Sequence, residues 1–259
     1  MSNQFARTEL LLGKNAMEKL EKSRVAVFGI GGVGGYVCEA LARSGVGHID
    51  LIDHDRISMT NINRQIIATR STIGKYKVEV MKERILEINP AADVRIYKCF
   101  FLPENADEFP FAEYDYIVDA VDTVTAKIGL VMAAEEKNIS IISSMGAGNK
   151  LDASQFQVAD IYQTKVCPLA KVMRRELKKR NIEKLKVVYS EEIPVVPIFC
   201  ADLDSDLCTE CQETDPEPSM EEPFTKKRTV PGSVAFVPSV AGLIIAGEVI
   251  KDLVTVQTV

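Results

Sequence analysis

The chain has 259 residues, 46% hydrophobic and 26% charged, which suits one large soluble domain with an ordinary core. A net charge of −6 excludes a surface that attracts nucleic acid as a whole, so any polyanion must meet a local basic patch. Six scattered cysteines are not a secreted disulfide scaffold, and residues 1–11 lack the basic-then-apolar order of a signal peptide; both point to the cytoplasm.

Residues 8–21 have helical spacing, with Leu11, Leu12, Ala16 and Leu20 on one side. Residues 25–28 form a short apolar run that ends in glycines and predicts a buried strand; a helix opens over 32–44. A second strand is expected at 48–52, with His48 at a sheet edge, then a helix over 75–88 stopped by Asn89-Pro90. Strands follow at 94–97, 116–120 and 139–144, with a helix from 124 to 137 between the last two. This alternation predicts an α/β fold: a Rossmann-like, mostly parallel sheet with helices on both faces.

After Met145 the pattern changes to a C-terminal extension that adds strands and helices. It holds a strand at 156–161, a basic amphipathic helix at 168–180, a strand at 185–189 and a closing helix from 238 to 253. Residues 200–231, rich in Asp, Glu and Pro, read as a long mobile loop. The apolar stretch 233–250 is interrupted by Pro238, Gly242, Gly247 and Glu248. It falls short of the roughly 20 apolar residues of a membrane span, so a buried helix is expected and no membrane contact.

Four motifs carry chemistry. Gly29, Gly31, Gly32 and Gly34, in Gly29-Ile30-Gly31-Gly32-Val33-Gly34, follow a predicted strand and open a predicted helix. Glycines there let backbone approach phosphates, and the helix start offers free N–H groups. Asp53, first past the second strand, is placed to accept from ribose hydroxyls; Asp55 reads equally as a solvated turn residue and His54 as a bystander. Within Thr60-Asn61-Ile62-Asn63-Arg64-Gln65, Arg64 supplies a cation, and Lys77 supplies a second one thirteen residues on. Two fixed cations suit a triphosphate under attack. Asp122, beyond the fourth strand in Asp119-Ala120-Val121-Asp122, is the better magnesium ligand of the two carboxylates, with a helix N-cap as its other reading.

In order and spacing, GIGGVG, DHD, TNINRQ, GKYK and DAVDT resemble the E1-like adenylating enzymes, the group that includes activators of sulfur-carrier proteins. The resemblance covers roughly residues 7–148. It implies ATP and Mg2+ as cofactors, with Gly32 at the phosphates, Asp53 at the ribose, Asn61, Arg64 and Lys77 holding phosphates, and Asp122 holding the metal. It also implies that Arg7 reaches the nucleotide of a second subunit, so that the active enzyme is a homodimer. A narrower resemblance reaches almost the whole chain. VCPLAKVMRRELKKRNI, KVVYSEE and GSVAFVPSVAGLIIAGEVIKDL are similar to the tRNA threonylcarbamoyladenosine dehydratases, which adenylate the threonyl carboxylate of a modified adenosine and close it into a ring.

Between Lys165 and Lys186 stand nine Lys or Arg. Helical spacing puts Lys171, Arg174, Arg175, Lys178 and Lys179 on one flank, a candidate contact for tRNA phosphates, with a solvated helix face as the alternative. No cysteine stands out as an acyl acceptor, and a cyclisation within the substrate needs none. Cys208 and Cys211 form one C-x-x-C pair, a weak match to a zinc site that Cys167 and Cys200 would have to complete; free thiols are the preferred reading. The chain is thus expected to be a single domain over 1–259, with a nucleotide-binding core at about 8–150 and a substrate and subunit-contact part at about 151–259. Rival readings are activation of a ubiquitin-like sulfur carrier, with a sulfur-relay protein as partner, an NAD-dependent oxidoreductase, and a non-catalytic nucleotide-binding subunit.

Overall fold

Short runs rich in Val and Ile cannot leave one face wet, and they become the strands of a sheet covered on both sides. In the computed structural model, which describes residues 3–198 and 231–254, these are β1 (Arg24–Phe28), β2 (His48–Ile52), β3 (Asp93–Tyr97), β4 (Tyr116–Asp119), β5 (Ser140–Ser144), β6 (Phe156–Asp160) and β7 (Lys186–Ser190). Their order in space is β3-β2-β1-β4-β5-β7-β6. The pairs are parallel except β6 with β7, which is antiparallel. The helices are α1 (Ala6–Leu12), α2 (Lys14–Lys22), α3 (Gly34–Arg43), α4 (Lys77–Ile88), α5 (Val124–Lys137), α6 (Pro168–Lys178) and α7 (Phe236–Val254).

Successive strand residues face opposite layers. On β1, Val25 and Val27 join the core built with α3, α4 and α7, while Ala26 and Phe28 join a second core with α5 and the Phe101–Phe109–Phe111 cluster. A third core lies under α6, around Met173, Leu177, Val187 and Tyr189. Both parts of the chain thus share one sheet, and α7 returns to pack on α3.

Register decides where chemistry can sit. Phe28 is level with Ile52 on β2 and with Asp119 on β4. Gly29, Asp53 and Ala120 are therefore the first residues past the sheet on three adjacent strands. The chain leaves β1 toward β2 on one side and later enters β4 on the other, so a crevice opens at the carboxyl edge between β1 and β4.

Three expectations change. The helix expected over 8–21 is two helices, because Gly13 takes φ +84° and breaks the run. No residue of α1 is buried, and Leu10 and Leu11 are 85% and 86% exposed. His48 stands on an interior strand, since β3 pairs outside β2. The last helix starts at Phe236, with Pro238 in its first turn, where a missing N–H costs nothing. Residues 200–230 of the acidic stretch, with Cys200, Cys208 and Cys211, lie outside the described residues. Among the described residues no helix is long and apolar enough to cross a membrane.

Candidate active site

The glycine loop separates two uses of glycine. Gly29 takes φ +89°, and a Cβ there would lie 2.6 Å from the Ala120 carbonyl oxygen. A Cβ on Gly34 would overlap the Gly29 carbonyl oxygen. The fold itself requires these two. Gly31 differs: its nearest neighbour would be Gln65 Nε2, at 3.9 Å. Nothing in the described chain forbids a side chain at Gly31, so the fold does not require a glycine there. Behind it α3 starts without a side-chain cap, leaving first-turn N–H groups for an anion.

The cleft at this switch point has a volume of about 360 Å³, within the range of small-molecule sites. Gly29, Gly31, Gly32, Asp53, Asn61, Arg64, Lys77 and Asp122 all line it, and Gly34 sits just behind as the first residue of α3. Arg7 does not line it. It is exposed on α1, so within one chain it is not part of the site.

The charges around the cleft are only partly matched. Asp53 accepts from Ile30 N at 2.7 Å and from Asp55 N at 2.8 Å, which locks it beside the glycine loop. Burial pushes its carboxyl up, against the pull of Lys77. Lys77, buried, pairs with Asp55 and lies 4.0 Å from Asp53. Asp55 is therefore no idle turn residue: it holds the ammonium that the sequence assigns to phosphate. His54 Nε2 lies 3.1 Å from an Asp55 carboxylate oxygen, and its ring meets Phe100 edge to face. Asp53, His54 and Asp55 bring ligand atoms within 4.8 Å of one another, and Lys77 already pairs with Asp55 in that group.

Arg64 donates to Thr60 O and Asn63 Oδ1, each at 3.0 Å, and no carboxylate pairs with it among the described residues. Its half-buried guanidinium is lowered by desolvation. Asn61 caps its own turn by accepting from Ser58 N at 3.1 Å. Gln65 is buried on the cleft wall, and its Oε1 has no partner among the described residues. Polar atoms left unmatched inside a protein are costly, and this one lies on a residue of the cleft wall.

The two carboxylates at the end of β4 and just beyond it have different surroundings. Asp122 is exposed, lines the cleft and makes no hydrogen bond or ion pair among the described residues. It is not the helix cap, since Thr123 takes that position without a side-chain bond. A free carboxylate at a strand end is a suitable donor for a hard cation such as Mg2+. Asp119 is fully buried with Lys127 and Ser143.

Several wall residues carry no sequence signal strong enough to have been singled out. Cys99, Phe100 and Phe101 follow β3 and form a partly apolar side of the cleft. Their position just past a parallel strand was the available signal. Ala147 and Gly148 come from the end of the first part of the chain, and Gly232, Ser233 and Pro238 from the second. Asn149 ties them in place: its Oδ1 accepts from Gly232 N at 2.6 Å. A cysteine does stand at the cleft, but burial raises the Cys99 thiol, which makes it a poor nucleophile. Cys167 is buried in the core under α6.

The basic helix is less uniform than its stripe suggested. Arg174 turns inward to the carbonyl and hydroxyl of Thr164. Arg175, Lys179 and Arg180 share Glu176, whose carboxyl they hold down at about 2. Lys171 and Lys178 are exposed and make no ion pair among the described residues. α6 leads into β7 at the amino edge of the sheet, so its own amino end points toward the edge that holds the cleft.

Known proteins match this chain along its whole length. It is 45% identical over 254 residues to a Bacillus subtilis (strain 168) protein named tRNA threonylcarbamoyladenosine dehydratase, covering 98% of this chain and 95% of that one. An Escherichia coli (strain K12) protein of the same name is 40% identical over 201 residues, covering 74% and 75%. The crystal structure of E. coli tRNA N6-threonylcarbamoyladenosine dehydratase, TcdA, in complex with ATP superposes with a TM-score of 0.82 at 31% identity, over 97% of this chain and 94% of that one. The family model described as "ThiF family" matches residues 2–259, and the chain belongs to that E1-like family.

Proposed function

We propose that the chain dehydrates N6-threonylcarbamoyladenosine in tRNA, using ATP to activate the threonyl carboxylate as its acyl-adenylate. One observation carries this reading: unspent charge converges on one cleft. The partnerless Asp122, the Arg64 guanidinium without a carboxylate and the bare Gly31 backbone all line the same space among the described residues. A dinucleotide cofactor for hydride transfer would leave the first two without a purpose.

In this reading ATP lies with its phosphates along Gly31, Gly32 and the start of α3, and its ribose at Asp53. Lys77 is already at the site and exchanges Asp55 for phosphate oxygen. Magnesium, held by Asp122, would withdraw charge from the phosphate oxygens. A carboxylate oxygen of the substrate attacks the α-phosphorus, and pyrophosphate leaves. Arg64 and Lys77 stabilise the charge that develops on it. A nitrogen of the same modified base then attacks the acyl carbon, and AMP departs with the former carboxylate oxygen. The ring closes within the substrate, so no enzyme thiol is needed, in keeping with the raised Cys99.

Lys171 and Lys178 on α6 are the proposed contacts to tRNA phosphates, along a helix of roughly 16 Å that runs away from the cleft edge. Arg7 of a second copy completes the site in a homodimer. The cytoplasm is the proposed location, which fits Cys38 and Cys167, buried without a disulfide among the described residues. Activation of a sulfur-carrier protein remains the competing chemistry. Mass spectrometry of nucleosides decides between them: with ATP and magnesium the modified adenosine loses one water. Adenylation of a carrier protein without any change in tRNA refutes the proposal.

A further inference from the structure

No residue of α5 lines the cleft, yet one α5 side chain reaches the ends of two strands whose following turns do. Lys127 is 1% exposed, and its partners Asp119 and Ser143 are fully buried. Its ammonium lies 3.1 Å from each Asp119 oxygen, 2.7 Å from the Ser144 carbonyl and 3.4 Å from Ser143 Oγ. The Ser143 hydroxyl donates to Asp119, and Asp119 accepts from Val121 N at 3.3 Å. Asp119 and Ser143 are level across β4 and β5.

We infer that Lys127 is a positioning residue for adenylation, whose buried ammonium fixes the Asp122 turn and the 145–148 turn against the glycine loop. Stability alone does not call for it: an apolar group of similar shape serves a core as well as a buried ion pair, or better. What an apolar group cannot supply is direction. The ammonium bonds at the ends of β4 and β5, and the chain shortly beyond those ends (Ala120, Val121 and Asp122 directly after β4, Ala147 and Gly148 three and four residues after Ser144) is cleft wall. The seat is tight, because the Ala120 carbonyl leaves no room for a Cβ on Gly29. A shift of this turn therefore moves the metal carboxylate and presses on the phosphate loop together. Ångström-scale displacement of this kind costs on the order of 100-fold in rate.

The inference rests on the adenylation reading. Its test compares Lys127→Met with the double variant Asp119→Asn/Lys127→Met. The single variant strands a buried carboxylate and is expected to melt well below wild type. The double variant removes both charges and is expected to melt close to wild type. In it, calorimetry should find ATP alone bound nearly as before, while the gain in affinity from magnesium falls about tenfold. The kcat of adenylate formation should drop about 100-fold, with KM for ATP changed far less. A folded double variant with wild-type magnesium gain and wild-type kcat overturns the inference. Where the double variant does not fold, Ser143→Ala decides: a several-fold loss of kcat supports the role, and wild-type kcat overturns it. Wild-type protein that fails to bind ATP with magnesium refutes the reading of the cleft itself, a result distinct from either.

Discussion

Replacing Gly31 by Ala separates the glycine that serves a ligand from those that serve the fold. An added Cβ at Gly31 has no protein atom closer than 3.9 Å, and the residue does not have positive φ. Stability should therefore hold or rise, by about 0.4–1 kcal/mol through the lower entropy of the unfolded chain. The methyl group occupies the space where phosphate would contact backbone N–H. Losing one hydrogen bond to a charged group costs about 1.5–3 kcal/mol, which weakens ATP binding about 10- to 150-fold. Gly34→Ala is the counterpart: its Cβ would overlap the Gly29 carbonyl oxygen. Overpacking of about 1–3 kcal/mol or more should lower the melting temperature by about 2–12 °C. Calorimetry with ATP and thermal melts of both variants provide the comparison. A Gly31→Ala protein that binds ATP as wild type does would refute the assignment of the glycine loop to phosphates.

Asp122→Asn should leave magnesium-free ATP binding intact and slow adenylation by 100-fold or more, as read by pyrophosphate exchange; full activity would remove the metal role. Lys171→Ala with Lys178→Ala should weaken tRNA binding and lower its salt slope by about 0.9 for each phosphate no longer neutralised, as measured by filter binding across a salt series. Glu176→Gln frees Arg175, Lys179 and Arg180 and should tighten tRNA binding a few-fold, since a carboxyl held at about 2 stays ionised throughout the working pH range. Mixing Arg7→Ala chains with Asp122→Asn chains, each inactive alone, should restore about a quarter of wild-type sites after subunit exchange if Arg7 acts across a two-fold dimer. No recovery on mixing would place Arg7 outside the partner's site.

The parts of this molecule that could be read from sequence are those whose cause is local. A glycine turn after an apolar run, and acids one to three residues past strands, keep the same meaning wherever the chain goes next. That is why the sequence pattern puts Asp53 and Asp122 just beyond strand ends, where the structure has them. Lys127 was invisible because a lysine in a helix normally reaches water, and its partners Asp119 and Ser143 meet it only through the β4–β5 register. The wall at Gly232 and Ser233 depends on a return of the chain held by Asn149, 83 residues earlier. Helical spacing alone could not tell Arg174, bent back onto Thr164, from Lys171 on the same flank. The edge assignment of His48 failed because strand order, which spacing does not encode, sets β3 outside β2.

The most direct test follows the fate of one oxygen atom. Modified tRNA carrying oxygen-18 in the threonyl carboxylate is incubated with the protein, ATP and magnesium, and the products are weighed by mass spectrometry. Attack at the α-phosphorus requires one labelled oxygen in AMP and none in pyrophosphate. Label in orthophosphate, with ADP as the nucleotide product, would mean attack at the terminal phosphate and would contradict adenylation.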